Sequence, residues 1–431
     1  MEPSPGSDPA RTHPPDEPAP HAMLHERPTD GGHLRIVAIC FLAWIFDFYD
    51  LILYSFLLVP IARELHLSAA ESSLALGTSF LMTAAGGVIF GFAGDRWGRR
   101  PTIAATVAIY GIGTLLCAGS NSLWELILFR SITGLGMGGG WAPGQSLIAE
   151  SVPPERRARY AAYVQTGAPL GILLAAAASG YLTPIVGWRL TFAISAIPAL
   201  VIFAVVLRWL PESDVWIRSR AGTLFRWREL GVLRPYRNMV TLLFVILLLN
   251  SEAYWFTYSW MPGYLELHRG LTALGASQLM IKMQYGGVLG YFVFGILADR
   301  YGRRPMFFIF GLVMAAGLLP ETIFWDRAAA IPGLIAWAMF TAGFGTGIWS
   351  GMAPMISELL PTRVRNTTLG LLLNVTRGFQ FFTPLAITFL STRAGFGPTL
   401  AIGAIFSTIA ASMIWLLPET RGRDITTLDA R

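Results

Sequence analysis

The chain has 431 residues, of which 54% are hydrophobic and only 13% charged. With a mean hydropathy of +0.53, it carries more apolar surface than a water-soluble chain of this length could bury around ordinary cores. The net charge of +6 comes almost wholly from arginine, Lys282 being the single lysine, and the two cysteines, Cys40 and Cys117, both fall in apolar stretches; neither a disulfide framework nor a thiol metal site is implied.

Residues 1–33 hold eight prolines and four of the six histidines but no apolar run, the composition of a disordered tail without the apolar segment of a secretory signal. Apolar stretches of the length needed to cross a bilayer then follow. We place twelve spans at 35–60, 71–93, 101–120, 123–148, 159–184, 188–210, 239–265, 275–297, 305–325, 330–355, 366–392 and 396–417. An all-α membrane protein of two six-helix halves is expected, with bundles at 34–210 and 239–418, a linker at 211–238 and a tail at 419–431. With both termini on one side, that side takes 24 basic residues. The other side takes five, namely Arg63, Arg189, Arg269, Arg327 and Arg393. By the positive-inside rule both termini are cytoplasmic. The Arg-rich, amphipathic linker is expected to lie along the membrane surface.

The halves repeat. Gly94-Asp95-Arg96-Trp97-Gly98-Arg99-Arg100-Pro101 returns as Ala298-Asp299-Arg300-Tyr301-Gly302-Arg303-Arg304-Pro305. Glu150 with Pro153 returns as Glu358 with Pro361, and Leu210-Pro211-Glu212-Ser213 as Leu417-Pro418-Glu419-Thr420. Three motifs repeated at one spacing indicate internal duplication, the architecture of carriers whose substrate site lies between halves near the midplane. The Asp-Arg-x-Gly-Arg-Arg loops after spans two and eight resemble the hallmark of the major facilitator superfamily, over residues 35 to 423. Gly134, Gly136 and Gly138 after Arg130, the Gly187-Trp188-Arg189 run and the Pro-Glu-Thr end resemble its organic-acid:proton symporter branches, which carry aromatic acids, sialate and lactate-type substrates. This resemblance implies alternating access by rocking bundles. Physically, Arg96, Arg99, Arg100, Arg300, Arg303 and Arg304 can reach carbonyls at helix C-termini. Asp95, Asp299, Glu150 and Glu358 can accept hydrogen bonds there, which makes a gate a better reading than topology alone.

Six ionisable residues fall well inside spans: Asp47, Asp50, Arg130, Glu252, Lys282 and Arg377. Exposing all six to lipid would cost roughly 15–20 kcal/mol, so they must face a cavity or one another, and three of each sign allows full pairing. Asp47 and Asp50 share a helix face, and two neighbouring carboxylates do not easily both stay ionised, which suits a proton carrier. Phe46-Asp47-Phe48-Tyr49-Asp50 resembles the acidic first-helix motif of the aromatic-acid and sialate symporters, with Phe48 where the aromatic-acid pattern has Gly. Glu252 precedes Pro262 as Asp50 precedes Pro60, which makes it the pseudo-symmetry mate of Asp50. Asn374-Val375-Thr376-Arg377 resembles the Asn-x-x-Arg of the organic-acid branches. A guanidinium matches a carboxylate bidentately, so Arg377 is the candidate anion anchor, its rival role being a permanent salt bridge to Asp47 or Glu252. Lys282 either adds a second positive group or neutralises Glu252. Arg130 resembles the fourth-helix Arg-x-x-x-Gly motif associated with proton coupling, or packs against Asp47 or Asp50.

Trp44, Tyr49, Tyr54, Trp255, Tyr258, Tyr285 and Phe379 could stack on a ring-bearing substrate, though aromatics also pack helices and form interfacial belts. The expectation is a proton-coupled symporter of a small organic anion in the cell inner membrane, a monomer with no cofactor, no metal and no nucleic-acid partner. A proton-driven exporter is the alternative, on the Gly167-Ala168-Pro169-Leu170-Gly171 echo of the antiporter motif. A membrane enzyme or sensor is more remote, because no phosphate loop, zinc-protease or nucleophile-elbow motif appears.

Overall fold

In a computed structural model, the structure describes residues 30–152, 160, 163–219, 234–360 and 362–420. The bulk of the expected tail at 1–33, the middle of the linker at 220–233 and the residues from 421 onward lie outside the described residues.

The described chain is helical throughout, as a membrane-spanning backbone must be to satisfy its own polar groups. The first half comprises α1 (Asp30–Glu64), α2 (Ala69–Trp97), α3 (Arg99–Cys117), α4 (Leu123–Ser151), α5 (Gly167–Ala177) and α6 (Thr183–Trp209). A π-helical turn at Ala178–Leu182 joins α5 to α6. The chain reverses at Gly187, whose φ of 77° only glycine adopts without strain. A short helix, α7 (Asp214–Ser219), follows. The second half comprises α8 (Arg237–Leu267), α9 (Ala273–Tyr301), α10 (Arg303–Glu321), a short α11 (Trp325–Ala329), α12 (Leu334–Gly345), α13 (Ile348–Leu359), α14 (Thr362–Phe379), α15 (Phe382–Ala394) and α16 (Phe396–Met413). Among the described residues these helices fall in all twelve expected spans, and eight helical stretches are long and apolar enough to cross a membrane by length and composition. The tenth span is broken between α12 and α13 and the eleventh between α14 and α15.

Local signals set the helix starts. Ser68 and Glu71 form a reciprocal capping box at α2, and Ser122 and Thr272 cap α4 and α9. Packing within each bundle rests on small residues, as expected where lipid supplies no hydrophobic drive between helices. A Cβ on Gly138 would come within 1.8 Å of the Thr83 carbonyl oxygen, and one on Gly343 within 1.8 Å of the Met283 carbonyl oxygen. α2 therefore packs backbone-to-backbone on α4, and α9 likewise on α12.

The duplicated loops build two equivalent clasps. Arg99 bridges Asp95 at 3.1 Å and Glu150 at 3.1 Å, and donates to the Gly94 carbonyl at 2.6 Å. Arg303 bridges Asp299 at 2.6 Å and Glu358 at 3.3 Å. Glu212 accepts from the backbone N–H groups of Arg99 (2.9 Å) and Arg100 (3.2 Å), and Glu419 from those of Arg303 (2.8 Å) and Arg304 (3.0 Å). Anions thus sit at the positive ends of α3 and α10. Gly98 and Gly302 (φ 108° and 105°) are needed for conformation and for space, since a Cβ at Gly98 would lie 2.3 Å from Glu212. Arg100 donates to the Leu207 carbonyl and Arg304 to that of Trp415, while Arg96 and Arg300 are exposed. Every one of these ion pairs stays within its own bundle. Among the described residues no ion pair crosses between bundles on the face that carries the clasps.

At the opposite face the bundles touch. Ser73 and Thr388 hydroxyls are 2.6 Å apart, Trp260 Nε1 donates to Ser73 Oγ at 3.1 Å, and Phe80 meets Trp255 edge-on at 4.5 Å between centroids. The second half of α1 is buried at that face, with Ile52, Leu53, Tyr54 and Leu57 all at 0% exposure. The conformation is closed on the side away from the clasps.

Candidate functional site

An open cavity lies between the bundles. Trp44, Phe48 and Leu51 of α1, Phe80 and Thr83 of α2, and Trp141 of α4 form one wall, with Gln165 and Ala168 beside them. Ser251, Tyr254 and Trp255 of α8, Tyr291 of α9, Trp349 of α13, and Thr376 and Arg377 of α14 with Gln380 form the other. Arg377 is the one charged residue on this lining. No hydrogen bond or ion pair engages its guanidinium among the described residues. Its neighbours on the wall are already committed: Gln380 donates to Ser251 Oγ, and Trp141 donates to Gln165 at 3.3 Å. The break in the eleventh span falls immediately after Arg377, where the backbone turns at Gln380 and Phe381.

Asp47 is 6% exposed and lines a much smaller crevice inside the N-terminal bundle. Trp44 and Trp141 line both cavities and separate Asp47 from the larger one by a single layer of side chains. Asp47 lies within electrostatic reach of Asp50 and Arg377. Gly140 leaves room for its carboxylate, since a Cβ there would stand 3.2 Å from Oδ2. Asp50 is deeper, at 1% exposure. Thr114 donates to its Oδ2 at 3.0 Å, and Oδ1 has no protein partner. Arg130, fully buried, donates to Ser79 Oγ at 3.1 Å and to the Asp50 backbone carbonyl at 3.4 Å, and lies over the Tyr54 ring at 5.2 Å. Arg130 and Asp50 thus share one buried polar cluster without a direct ion pair.

Full mutual pairing of the six intramembrane charges does not occur, since none of them is in an ion pair among the described residues. The salt bridge from Arg377 to Asp47 or Glu252 is therefore not formed. Glu252 instead accepts from Thr383 at 2.6 Å and lies off the cavity lining. Lys282 corrects the expectation most clearly. It is exposed on the outer face of α9, so it neither reaches the cavity nor neutralises Glu252. Tyr285, three residues on, shares that face at 57% exposure and also leaves the site. Tyr49 is turned into its own bundle, its hydroxyl 2.5 Å from Ser195. Tyr258 is fully buried behind Tyr254, on which it stacks at 4.3 Å, and accepts from Gln284 at 3.2 Å. Asn374 packs against Gly87 and donates to the Gly370 carbonyl at 2.9 Å. Phe379, 46% exposed, packs on Phe244. Of the aromatics singled out in the sequence, only Trp44 and Trp255 line the cavity.

Gln165, Ser251, Tyr254, Tyr291, Trp349 and Gln380 were not legible as site residues, because neutral side chains carry no cost that marks them in an apolar span. A further acid, Glu321, closes α10 at 0% exposure. It falls inside the predicted ninth span, but close enough to its end to pass for an interfacial residue.

The Major Facilitator Superfamily model matches residues 39–283 and 280–430. A putative metabolite transport protein of Haemophilus influenzae is 28% identical over 388 residues, covering 88% of this chain and 94% of that protein. The cis,cis-muconate transport protein of Acinetobacter baylyi is 29% identical over 385 residues, covering 86% and 92%. Among solved structures, a D-xylose-proton symporter superposes with a TM-score of 0.73 at 20% identity, covering 90% of this chain and 99% of that one. Duplicated clasps, paired six-helix bundles and a cavity between them accord with that match, and the chain belongs to the Major Facilitator Superfamily.

Proposed function

We propose that this transporter is a proton-coupled symporter that imports a small, planar organic anion across the cell inner membrane, both termini facing the cytoplasm. The observation that carries the reading is Arg377, an unpaired guanidinium on the wall of an aromatic-rich cavity between the bundles. A partly buried cation without a counter-ion is costly, and a substrate carboxylate would supply one bidentately. Trp44, Trp255, Tyr254 and Trp349 offer ring faces for an unsaturated or aromatic body. The relative that transports muconate, a dicarboxylate, supports the same class. Asp47 is the proposed proton carrier: its charge acts on Arg377 from one side-chain layer away. Protonating Asp47 removes the competing negative charge and leaves Arg377 free for the anion. Asp50 and Arg130 support that step from within the bundle, and Glu252 with Thr383 is assigned the corresponding place in the C-terminal half. The clasps around Arg99 and Arg303 would hold helix ends together while the bundles rock.

Nothing specific favours export. The Gly167–Gly171 stretch has a packing explanation, because a Cβ on Gly171 would lie 2.2 Å from the Ile45 carbonyl oxygen and Pro169 packs on Gly287. The test is uptake into proteoliposomes of labelled aliphatic and aromatic carboxylic acids beside their neutral amides, with and without an inward proton gradient. Gradient-driven uptake of an acid but not its amide is expected. Uptake indifferent to the gradient would sink the proton half, and amide uptake equal to the acid's would sink the anchor.

A further inference from the structure

The mechanism above leaves one buried acid unused. Glu321 ends α10 with 0% exposure, and both carboxyl oxygens are buried without a protein partner among the described residues. The surroundings offer no compensating cation. α12 and α16, which pack on α10, bring no ionisable side chain at all. α9 brings the neutral Gln284, while Lys282 on the same helix points outward. α8 brings Tyr258 and Tyr264, both within electrostatic reach of Glu321. Arg269 is near but engaged, donating to the Tyr264 hydroxyl at 2.7 Å and the Thr322 carbonyl at 3.0 Å and pairing with the exposed Asp326 at 3.3 Å. Arg327, on α11, follows Asp326 on the surface.

A bare carboxylate in that setting is strongly disfavoured, so the side chain must carry a proton while the site is sealed. The seal is not a fixed wall. Tyr258 and Tyr264 lie on the α8 stretch that touches the N-terminal bundle, where Trp260 donates to Ser73. Tyr258 also stacks on Tyr254 of the cavity lining. Opening the opposite face would carry along the helix that bears Tyr258 and Tyr264, both within electrostatic reach of Glu321.

We propose that Glu321 is an exchangeable proton-binding site of the C-terminal bundle, separate from Asp47, Asp50 and Glu252. It deepens the proton-coupled reading and rests on it for its place in the cycle. Infrared spectroscopy of the purified full-length protein tests the site directly, with the proton as the probe. The expected result is a protonated-carboxyl band that Glu321→Gln lacks, that Glu321→Asp keeps, and that diminishes as pH is raised over the range in which the protein stays monodisperse. Tyr258→Phe, which keeps the ring and removes a hydroxyl within electrostatic reach of Glu321, is expected to shift the midpoint of that titration, and it serves as the decisive variant if Glu321→Gln does not fold. A spectrum unchanged by Glu321→Gln, or a band invariant across the whole pH range, overturns the proposal. In proteoliposomes loaded with muconate, Glu321→Gln should retain exchange across the membrane yet accumulate at least tenfold less under a proton gradient; accumulation at the wild-type level also overturns it. Wild-type uptake that ignores the gradient would instead remove the symport reading, and the infrared titration would still decide whether Glu321 binds and releases a proton.

Discussion

At the scale of single residues, the decisive contrast is between Arg377 and Arg130. Both are intramembrane arginines, but Arg130 is fully buried over a tyrosine ring with donors placed on Ser79 and the Asp50 carbonyl, whereas Arg377 faces the cavity with no partner among the described residues. Arg377→Lys keeps the charge and loses the planar fork, so the affinity for a carboxylate substrate should fall about tenfold or more, equivalent to at least roughly 1.4 kcal/mol. The measurement is the concentration dependence of uptake for the acid identified in proteoliposomes. An unchanged half-saturation concentration would mean that the guanidinium does not grip the anion in a fork. The sequence marked both arginines because charge inside an apolar span is conspicuous, but it did not reveal which way each pointed. Lys282 shows the same limit. It falls well inside its span, yet it lies on the outer face of α9, and Tyr285 goes with it because residues three apart share a face. Composition and spacing locate a side chain along a helix, whereas its rotation about the axis depends on packing that one sequence does not display.

At the scale of elements, the repeated motifs were the most legible feature, and the structure gives each a physical job. The Asp-Arg-x-Gly-Arg-Arg loops and the Pro-Glu-Ser and Pro-Glu-Thr ends meet, since Glu212 caps α3 and Glu419 caps α10. Gly187-Trp188-Arg189 forms a third joint. Trp188 and Arg189 hold Glu64 at 2.5 and 2.9 Å, and Arg189 also donates to the Ala118 and Ser120 carbonyls. Those hydrogen bonds, from Trp188 first and then Arg189, hold the Glu64 carboxyl below its ordinary range. A carboxyl depressed on folding contributes stability above its unfolded value and loses it as pH falls through the folded one, so this joint should be intact at neutral pH and weaken only in acid. Glu212→Gln keeps the shape of the α3 cap but removes its charge. Such charge-assisted bonds contribute about 1.5–3 kcal/mol when partly buried, and the variant should unfold at lower temperature in detergent while transporting normally below its transition. An unaltered melting temperature would show that the cap is redundant with the Arg99–Glu150 pair. The breaks between α12 and α13 and between α14 and α15 were not legible, because glycine and proline are common in membrane helices and do not announce which of them interrupts the ladder.

For the whole molecule, the asymmetry of contacts between bundles makes alternating access testable without knowing the substrate. The opposite face is zipped by Ser73–Thr388, Trp260–Ser73 and Phe80–Trp255, while the clasps on the terminal face tie helices only within each bundle. A carrier that rocks must part the first set in every cycle, whereas a protein that merely leaks through a static cavity need not. Ser73→Cys with Thr388→Cys replaces two hydroxyls 2.6 Å apart, close enough for a disulfide to form across the interface. The native thiols, Cys40 and Cys117, are both buried and should not interfere. Oxidation of the double variant should abolish transport, reduction should restore it, and neither single variant should respond. Because the lock stops the bundles rather than the chemistry at Arg377, the oxidised protein should still bind substrate from the terminal face, and quenching of the cavity tryptophans would report it. Transport that persists in fully cross-linked protein would mean that these bundles do not separate at the opposite face, and the rocking mechanism would fall with that result.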